Sequence, residues 1–325
     1  MSLRVKFATG FYQWMVPLLL GDVKPAGVDL DIEVINNPRE IFERMHKNQE
    51  FDVSEMSISE YTAQVSRGSS PFIALPVFPI RAFPHGFVVV NRKSGISTPK
   101  DLEGKRVGVP YYHMTSAVYA RGMLENDHGV DVRKIHWVEG GMDKPGRHGN
   151  PEKWPESPGL DLKVNDSQYS LDQLLEKGEL DATLGALMPP SWWTNPDIER
   201  LFEDNTAAEI DYYRRTGILP ANHIIIMRRA LLEQEPWLAA TLFEAFNASK
   251  DKAVKALKGH IFGHWPIPLS EPLFRTIDEV LGGDPWPFGI ERNRKMLDAV
   301  TSFMSQQHMI TRPVSPDELF APGMP

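Results

Sequence analysis

Apolar and polar residues alternate from the first positions of the chain: Leu3, Val5 and Phe7 are separated by Arg4 and Lys6, the period-two signature of a half-buried strand. Leu30, Ile32 and Val34 repeat that pattern. Over residues 39–48 the period changes, and Ile41, Phe42 and Met45 fall on one helical face. Residues 51–53 then read as a short strand that delivers Ser54, Glu55, Met56 and Ser57 to its end, where α/β sheets place ligands. Two apolar runs follow, FIALPVF at 72–78 and GFVVV at 86–90, with residues 79–85 between them. A strand is expected over 106–109, stopped by Pro110. A helix is expected from about Thr115, with Ala117, Ala120 and Leu124 on one face and Gly129 beyond its end. Ser170 and Gln173 form a capping-box pattern ahead of a helix over 171–177, and 182–187 reads as a strand. The block HIIIM at 223–227 has the continuous apolar character of a buried strand. Long amphipathic helices are expected from Pro236 and over 291–306.

Strands alternating with helices predict mixed or parallel sheets covered by helices. A length of 325 residues points to two domains, at roughly 100 to 200 residues each. Strand-like crossings near 85 and near 222 divide the chain into a discontinuous first lobe, 1–84 and 223–325, and a second lobe, 85–222. The expected fold class is α/β, two lobes of mixed sheet flanked by helices with an interlobe cleft. Residues 140–160 are rich in turn formers and read as a long surface loop. The chain has no Cys, which removes thiolate catalysis, Cys-based zinc sites and disulfides from consideration. Net charge is -8 and basic residues are interspersed with acids, so nucleic acid is not the expected partner. The apolar run at 15–20 is far short of the roughly 20 residues that span a bilayer. A strand-like start leaves no room for a leader, so the cytoplasm is the expected location, with the periplasm the alternative if a leader has been removed.

The segment DLEGKRVGVP (101–110) resembles the strand-entry motif of type II periplasmic solute-binding proteins. A set of further segments covers nearly the whole chain: EFDVSEMSISEY (50–61), PFIALPVFPIRAFPHG (71–86), VGVPYYHMTSAVYARGML (107–124), GG with PGR (140–147), YYRRTGILPANH (212–223), DPWPFGIERNR (284–294) and DELFAP (317–322). Together they resemble the 4,5-dihydroxyphthalate decarboxylase family. That resemblance implies the type II periplasmic-binding-protein-like fold and an activity that releases carbon dioxide from a hydroxylated aromatic dicarboxylate. The alternative within the same fold is a solute-binding protein that delivers a small aromatic carboxylate and does no chemistry. The chain departs from the family pattern at Phe11, Gln13 and Trp14 in the first loop, and at Pro84, Tyr111, His113 and the pair Ala221-Asn222.

Such a decarboxylation needs a cationic or N–H anchor for a carboxylate, an acid over the ring carbon that loses carbon dioxide, and electron push from a ring hydroxyl. Arg81 is the expected anchor and His85 the expected proton donor, because imidazole titrates nearest neutrality. Glu55 is expected to accept the phenol proton or bind the ring hydroxyls. Ser57 either joins it or caps the next helix through an S-x-x-E box with Glu60. Tyr112, His113 and Thr115 precede or open a helix whose first N–H groups suit an anion, and Thr115 is a candidate N-cap. Arg121, Arg147 and His223 complete the expected ligand-binding set, Arg147 as a lid residue. Tyr12 and Trp14, like Trp192 and Trp193, are candidates to stack on an aromatic ring. No cofactor is expected, although a divalent ion on Glu55 and His85 is left open. His260 and His264 have metal-like i, i+4 spacing next to residues that break a helix. A homo-oligomer is also left open.

Overall fold

A computed structural model describes residues 2–68, 70–149, 159–257 and 271–325. The elements, in chain order, are β1 (Leu3–Thr9), α1 (Val16–Leu19), β2 (Val28–Val34), α2 (Pro38–Asn48), β3 (Val53–Ser57), α3 (Ile58–Ser66) and β4 (Phe72–Leu75). They continue with β5 (Val89–Asn91), β6 (Arg106–Val109), α4 (Thr115–His128), β7 (His136–Glu139), β8 (Leu162–Val164), α5 (Leu171–Glu176), β9 (Ala182–Thr183), β10 (Ile198–Arg200) and α6 (Asn205–Thr216). The chain closes with β11 (His223–Arg228), α7 (Arg229–Gln234), α8 (Leu238–Leu257), α9 (Glu271–Leu281) and α10 (Arg294–Gln306).

The chain divides into two compact units: Met1–Arg81, Ala221–Leu297 and Val314–Pro325 form unit 1, and Ala82–Pro220 with Asp298–Pro313 form unit 2. Residues 298–313, expected with the first lobe, therefore belong to unit 2. Buried Arg121 on α4 explains this, because its Nε donates to Gln307 Oε1 at 2.9 Å while Gln307 Nε2 donates back to Val118 O at 3.0 Å. Phe303 packs edge-on to Tyr119 on the same helix.

Unit 1 holds a five-stranded sheet in the order β2-β1-β3-β11-β4. β1 is parallel to β2 and β3, and β11 is antiparallel to β3 and β4. β3 and β11 are central and buried, which accounts for the apolar run of 223–227. β3 starts and ends later than the expected 51–53, so Glu55 lies inside the strand and not after it. Unit 2 holds a six-stranded sheet in the order β10-β5-β9-β6-β7-β8, parallel across β9-β6-β7-β8 and antiparallel at β5. β9 spans two residues where 182–187 was expected to be strand, since Gly185 has φ +145° and its loop turns against Pro110. The Ser170–Gln173 capping box forms as its sequence pattern predicts. Among the described residues no helix is long and apolar enough to cross a membrane.

Candidate functional site

Strand register builds the main polar cluster of unit 1. β1 pairs Ala8 with Ser54, so Thr9 and Gly10 emerge from β1 beside Glu55. Antiparallel pairing sets Ile225 opposite Glu55 and His223 opposite Ser57, and directly opposed residues share a face. Glu55 is thus fully buried and receives donors from two chain segments, residues 9–12 and His223. Tyr12 Oη donates to Oε1 at 2.6 Å and His223 Nδ1 bonds the same oxygen. Gly10 N–H donates to Oε2 at 2.8 Å, and the Thr9 hydroxyl lies 3.2 Å from Oε2. A Cβ on residue 10 would sit 2.9 Å from Tyr12 Oη, so glycine there lets the phenol reach the carboxylate.

Burial alone would raise the Glu55 carboxyl, but the facing charge of His223 and the bonds from His223, Gly10 and Tyr12 outweigh it and hold the group below its ordinary value. Glu55 is therefore an ionised acceptor, which requires His223 Nδ1 to carry the proton in their shared bond. Tyr12 is pushed well above the usual phenol range by burial and then by the Glu55 charge, and it keeps its proton. Phe42 meets the His223 ring edge-on at 5.1 Å and holds its plane. The imidazole Nε2 is left for chemistry, on a side chain 17% exposed.

Ser57 is the N-cap residue of α3 but makes no capping bond with its side chain; its Oγ lies 3.1 Å from Ser59 Oγ. The expected Ser57–Glu60 box does not form, because Glu60 is held by the Arg39 guanidinium, with one bond at 2.9 Å, and by His46. Burial opposes the Glu60 charge, yet His46 and Arg39 hold that carboxyl at about 2.

Arg81 belongs to unit 1 and His85 to unit 2. Arg81 Nη2 donates to Pro287 O and Asn293 Oδ1, both at 2.6 Å, and the guanidinium lies over Phe78. It ties the crossing strand to the C-terminal part of unit 1. His85 belongs to unit 2, where Phe83, Phe202 and Tyr212 surround its ring at 5.1 to 6.5 Å. Its Nδ1 has no hydrogen-bond partner among the described residues. Burial first, and then the neighbouring His128, push this imidazole down to about 4. A histidine that resists protonation is poorly suited to donate a proton at neutral pH, the role expected of His85. The acceptor positions of Glu55, expected to take a phenol proton or bind ring hydroxyls, are taken by Thr9, Gly10, Tyr12 and His223.

The remaining residues lie in unit 2. Thr115 is the first residue of α4, with Met114 in the N-cap position, so the expected Thr115 cap is displaced by one residue. His113 packs against the rings of Tyr111 and Tyr112. Tyr112 N–H donates to Glu139 Oε2 at 2.8 Å, a carboxylate at the end of β7 that the sequence reading did not single out. Burial raises the Glu139 carboxyl, while the Tyr112 N–H and the charge of Arg147 counter it. Arg147 is exposed; its carbonyl accepts from Gly149 N–H at 3.1 Å, and its guanidinium makes no hydrogen bond or ion pair among the described residues. Its loop closes through Gly141, where a Cβ would lie 2.2 Å from Lys144 O. Arg121 is fully buried, donates to Tyr112 O at 2.8 Å and stacks on the Tyr112 ring at 3.7 Å, so it is a structural cation and not an open anchor. Trp14 is fully buried and donates to Pro79 O, which removes it as a stacking surface. Trp193 is 77% exposed.

Among the described residues no group of three or more His, Asp or Glu is arranged to hold a metal ion. His260 and His264 lie outside the described residues.

The sheets and their helices define the class of periplasmic-binding-protein-like α/β proteins. A family model described as the periplasmic substrate-binding protein of a phosphonate ABC transporter matches residues 23–145. A periplasmic sulfonate-binding protein of Methylobacillus flagellatus superposes with TM-score 0.58 at 11% identity, covering 99% of this chain and 92% of that one. The aliphatic sulphonate binding protein of Escherichia coli gives 0.56 at 10%, covering 99% and 98%. The desulfurization enzyme DSZB gives 0.52 at 13%, covering 99% and 97%. In sequence, the 4,5-dihydroxyphthalate decarboxylase of Comamonas testosteroni is 36% identical over 324 residues, 99% of this chain and 97% of that protein. Its namesake from Pseudomonas putida is 37% identical over 216 residues, 66% of this chain and 82% of that protein. The chain belongs to the 4,5-dihydroxyphthalate decarboxylase family.

Proposed function

We propose that the protein decarboxylates a hydroxylated aromatic dicarboxylate such as 4,5-dihydroxyphthalate, with His223 as the proton donor and Glu55 as the residue that positions it. The observation that carries this reading is the His223 imidazole, its Nδ1 held on a buried, ionised carboxylate and its side chain partly open. A carboxylate that fixes one ring nitrogen sets the orientation of the other.

The imidazolium Nε2–H protonates the ring carbon that bears the leaving carboxylate. The hydroxyl para to that carbon pushes electron density into the ring, the carbon–carbon bond breaks, and its electron pair restores aromaticity as carbon dioxide departs. One proton enters the product and one carbon dioxide leaves; His223 is reprotonated from solvent. The chemistry requires no organic cofactor, since the substrate's own hydroxyl is the electron source.

Carbon dioxide release from 4,5-dihydroxyphthalate is the deciding assay, with turnover in the wild type and its loss in His223→Asn expected. A second reading, ligand capture without chemistry, is favoured by the match of residues 23–145 to a substrate-binding family model. Tight binding of the dicarboxylate with no carbon dioxide released would select it.

A further inference from the structure

We infer that the Tyr12 hydroxyl is a specificity-determining contact that reads a ring hydroxyl of the ligand as a hydrogen-bond donor. The inference rests on the proposed function for the ligand's class but not on turnover. It follows from counting donors and acceptors around Glu55. A carboxylate offers about four acceptor positions. Oε1 takes Tyr12 and His223; Oε2 takes the Gly10 N–H and lies within reach of the Thr9 hydroxyl.

Tyr12 has one hydroxyl proton, and it is committed to Oε1 at 2.6 Å. An ionised Glu55 has no proton to return, so the direction of that bond is settled. The Tyr12 oxygen keeps only its accepting capacity toward a ligand. A ligand carboxylate or sulfonate placed there would set acceptor against acceptor; a phenolic O–H completes the chain from ring hydroxyl to Tyr12 to Glu55. Tyr12 is partly exposed, flanked by exposed Phe11 and Gln13. Because Tyr12 and His223 bond the same oxygen, the group that reads the hydroxyl and the imidazole are held to one reference atom. Recognition of the hydroxyl would thus fix the ring relative to the imidazole.

Two variants separate this contact from a merely structural one. Tyr12→Phe keeps the ring and removes the oxygen. Gly10→Ala keeps the oxygen and displaces it, since the nearest atoms to the added Cβ are Tyr12 Oη, Cζ and Cε2 at 2.9 to 3.1 Å. Calorimetric titration of wild type and both variants with 4,5-dihydroxyphthalate and with phthalate gives the readout. Wild type is expected to prefer the dihydroxylated ring by about tenfold or more, the weight of one well-made hydrogen bond to a buried polar group. Either variant that melts as a folded protein is expected to lose that preference, with phthalate affinity held within about twofold. Retention of the preference in a folded variant, equal weakening of both ligands, or no preference in the wild type overturns the inference. Preference for the hydroxylated ring without carbon dioxide release instead overturns the decarboxylase reading and leaves the Tyr12 contact standing.

Discussion

A buried carboxylate with every acceptor position filled by its own protein is a device for orienting donors, and Glu55 has that character in unit 1. Its fixed lone pairs decide which imidazole nitrogen of His223 faces outward. His223→Asn is expected to lower kcat by roughly 10²- to 10⁴-fold, the usual contribution of a positioned proton donor, with a much smaller change in KM. Glu55→Gln removes the charge while nearly keeping the volume. It is expected to reduce kcat with little change in KM, because the imidazole loses the carboxylate that orients it, and to add little to the loss in His223→Asn when the two are combined. Glu55 and His223 were both legible as candidates, since each stands at a polar boundary of an apolar strand. Their partnership was not legible, because the two stand far apart in the chain. Arg81, His85 and Pro84 make an attractive local pattern, but local spacing does not report that His85 is walled in by Phe202 and Tyr212.

At the scale of elements, two identical-looking signals had different outcomes. Ser170 with Gln173 forms its capping box because neither side chain has a stronger partner. Ser57 with Glu60 has the equivalent spacing, yet the carboxylate goes to the Arg39 guanidinium on α2, a charged two-pronged partner that outcompetes a neutral cap. Helix α4 repeats the lesson. Its apolar positions predicted a helix with one covered face, but Arg121 and Gly122 are buried as well, under residues 298–313. At Gly122 an added Cβ would lie 2.3 Å from the Phe303 ring. Gly122→Ala gains about 1 kcal/mol of helix propensity but forces a packed aromatic ring to move. A net loss of about 1 to 3 kcal/mol in urea unfolding is expected, whereas Gly129→Ala, with nothing within 4 Å but φ +63°, should cost less than that and only through backbone strain.

For the molecule as a whole, the neutral His85 side chain couples stability to pH. Its folded-state value is about 4 against an ordinary 6.5, so the folded protein binds fewer protons there than the unfolded chain. That contribution is fully present above about pH 6.5 and is lost as pH falls through 4; it is on the order of 3 kcal/mol. Urea unfolding between pH 7 and pH 4 is expected to show wild type losing stability faster than His85→Phe. Parallel curves would mean that the imidazole is not held neutral by its aromatic surroundings.

Alternation of period-two and helical patterns determined the sequence of strands and helices, and nearly continuous similarity determined the family. Composition alone removed thiol chemistry. Tertiary structure decided which of the polar residues act together. Glu55 and His223 are 168 positions apart and meet because β11 adds antiparallel to β3 in one register; a slip of one residue would turn His223 to the opposite face. The same holds for residues 298–313, whose amphipathic pattern fits a helix in either unit until Arg121 and Phe303 select one. Periodicity reports which side of an element is covered, and only the folded chain specifies by what.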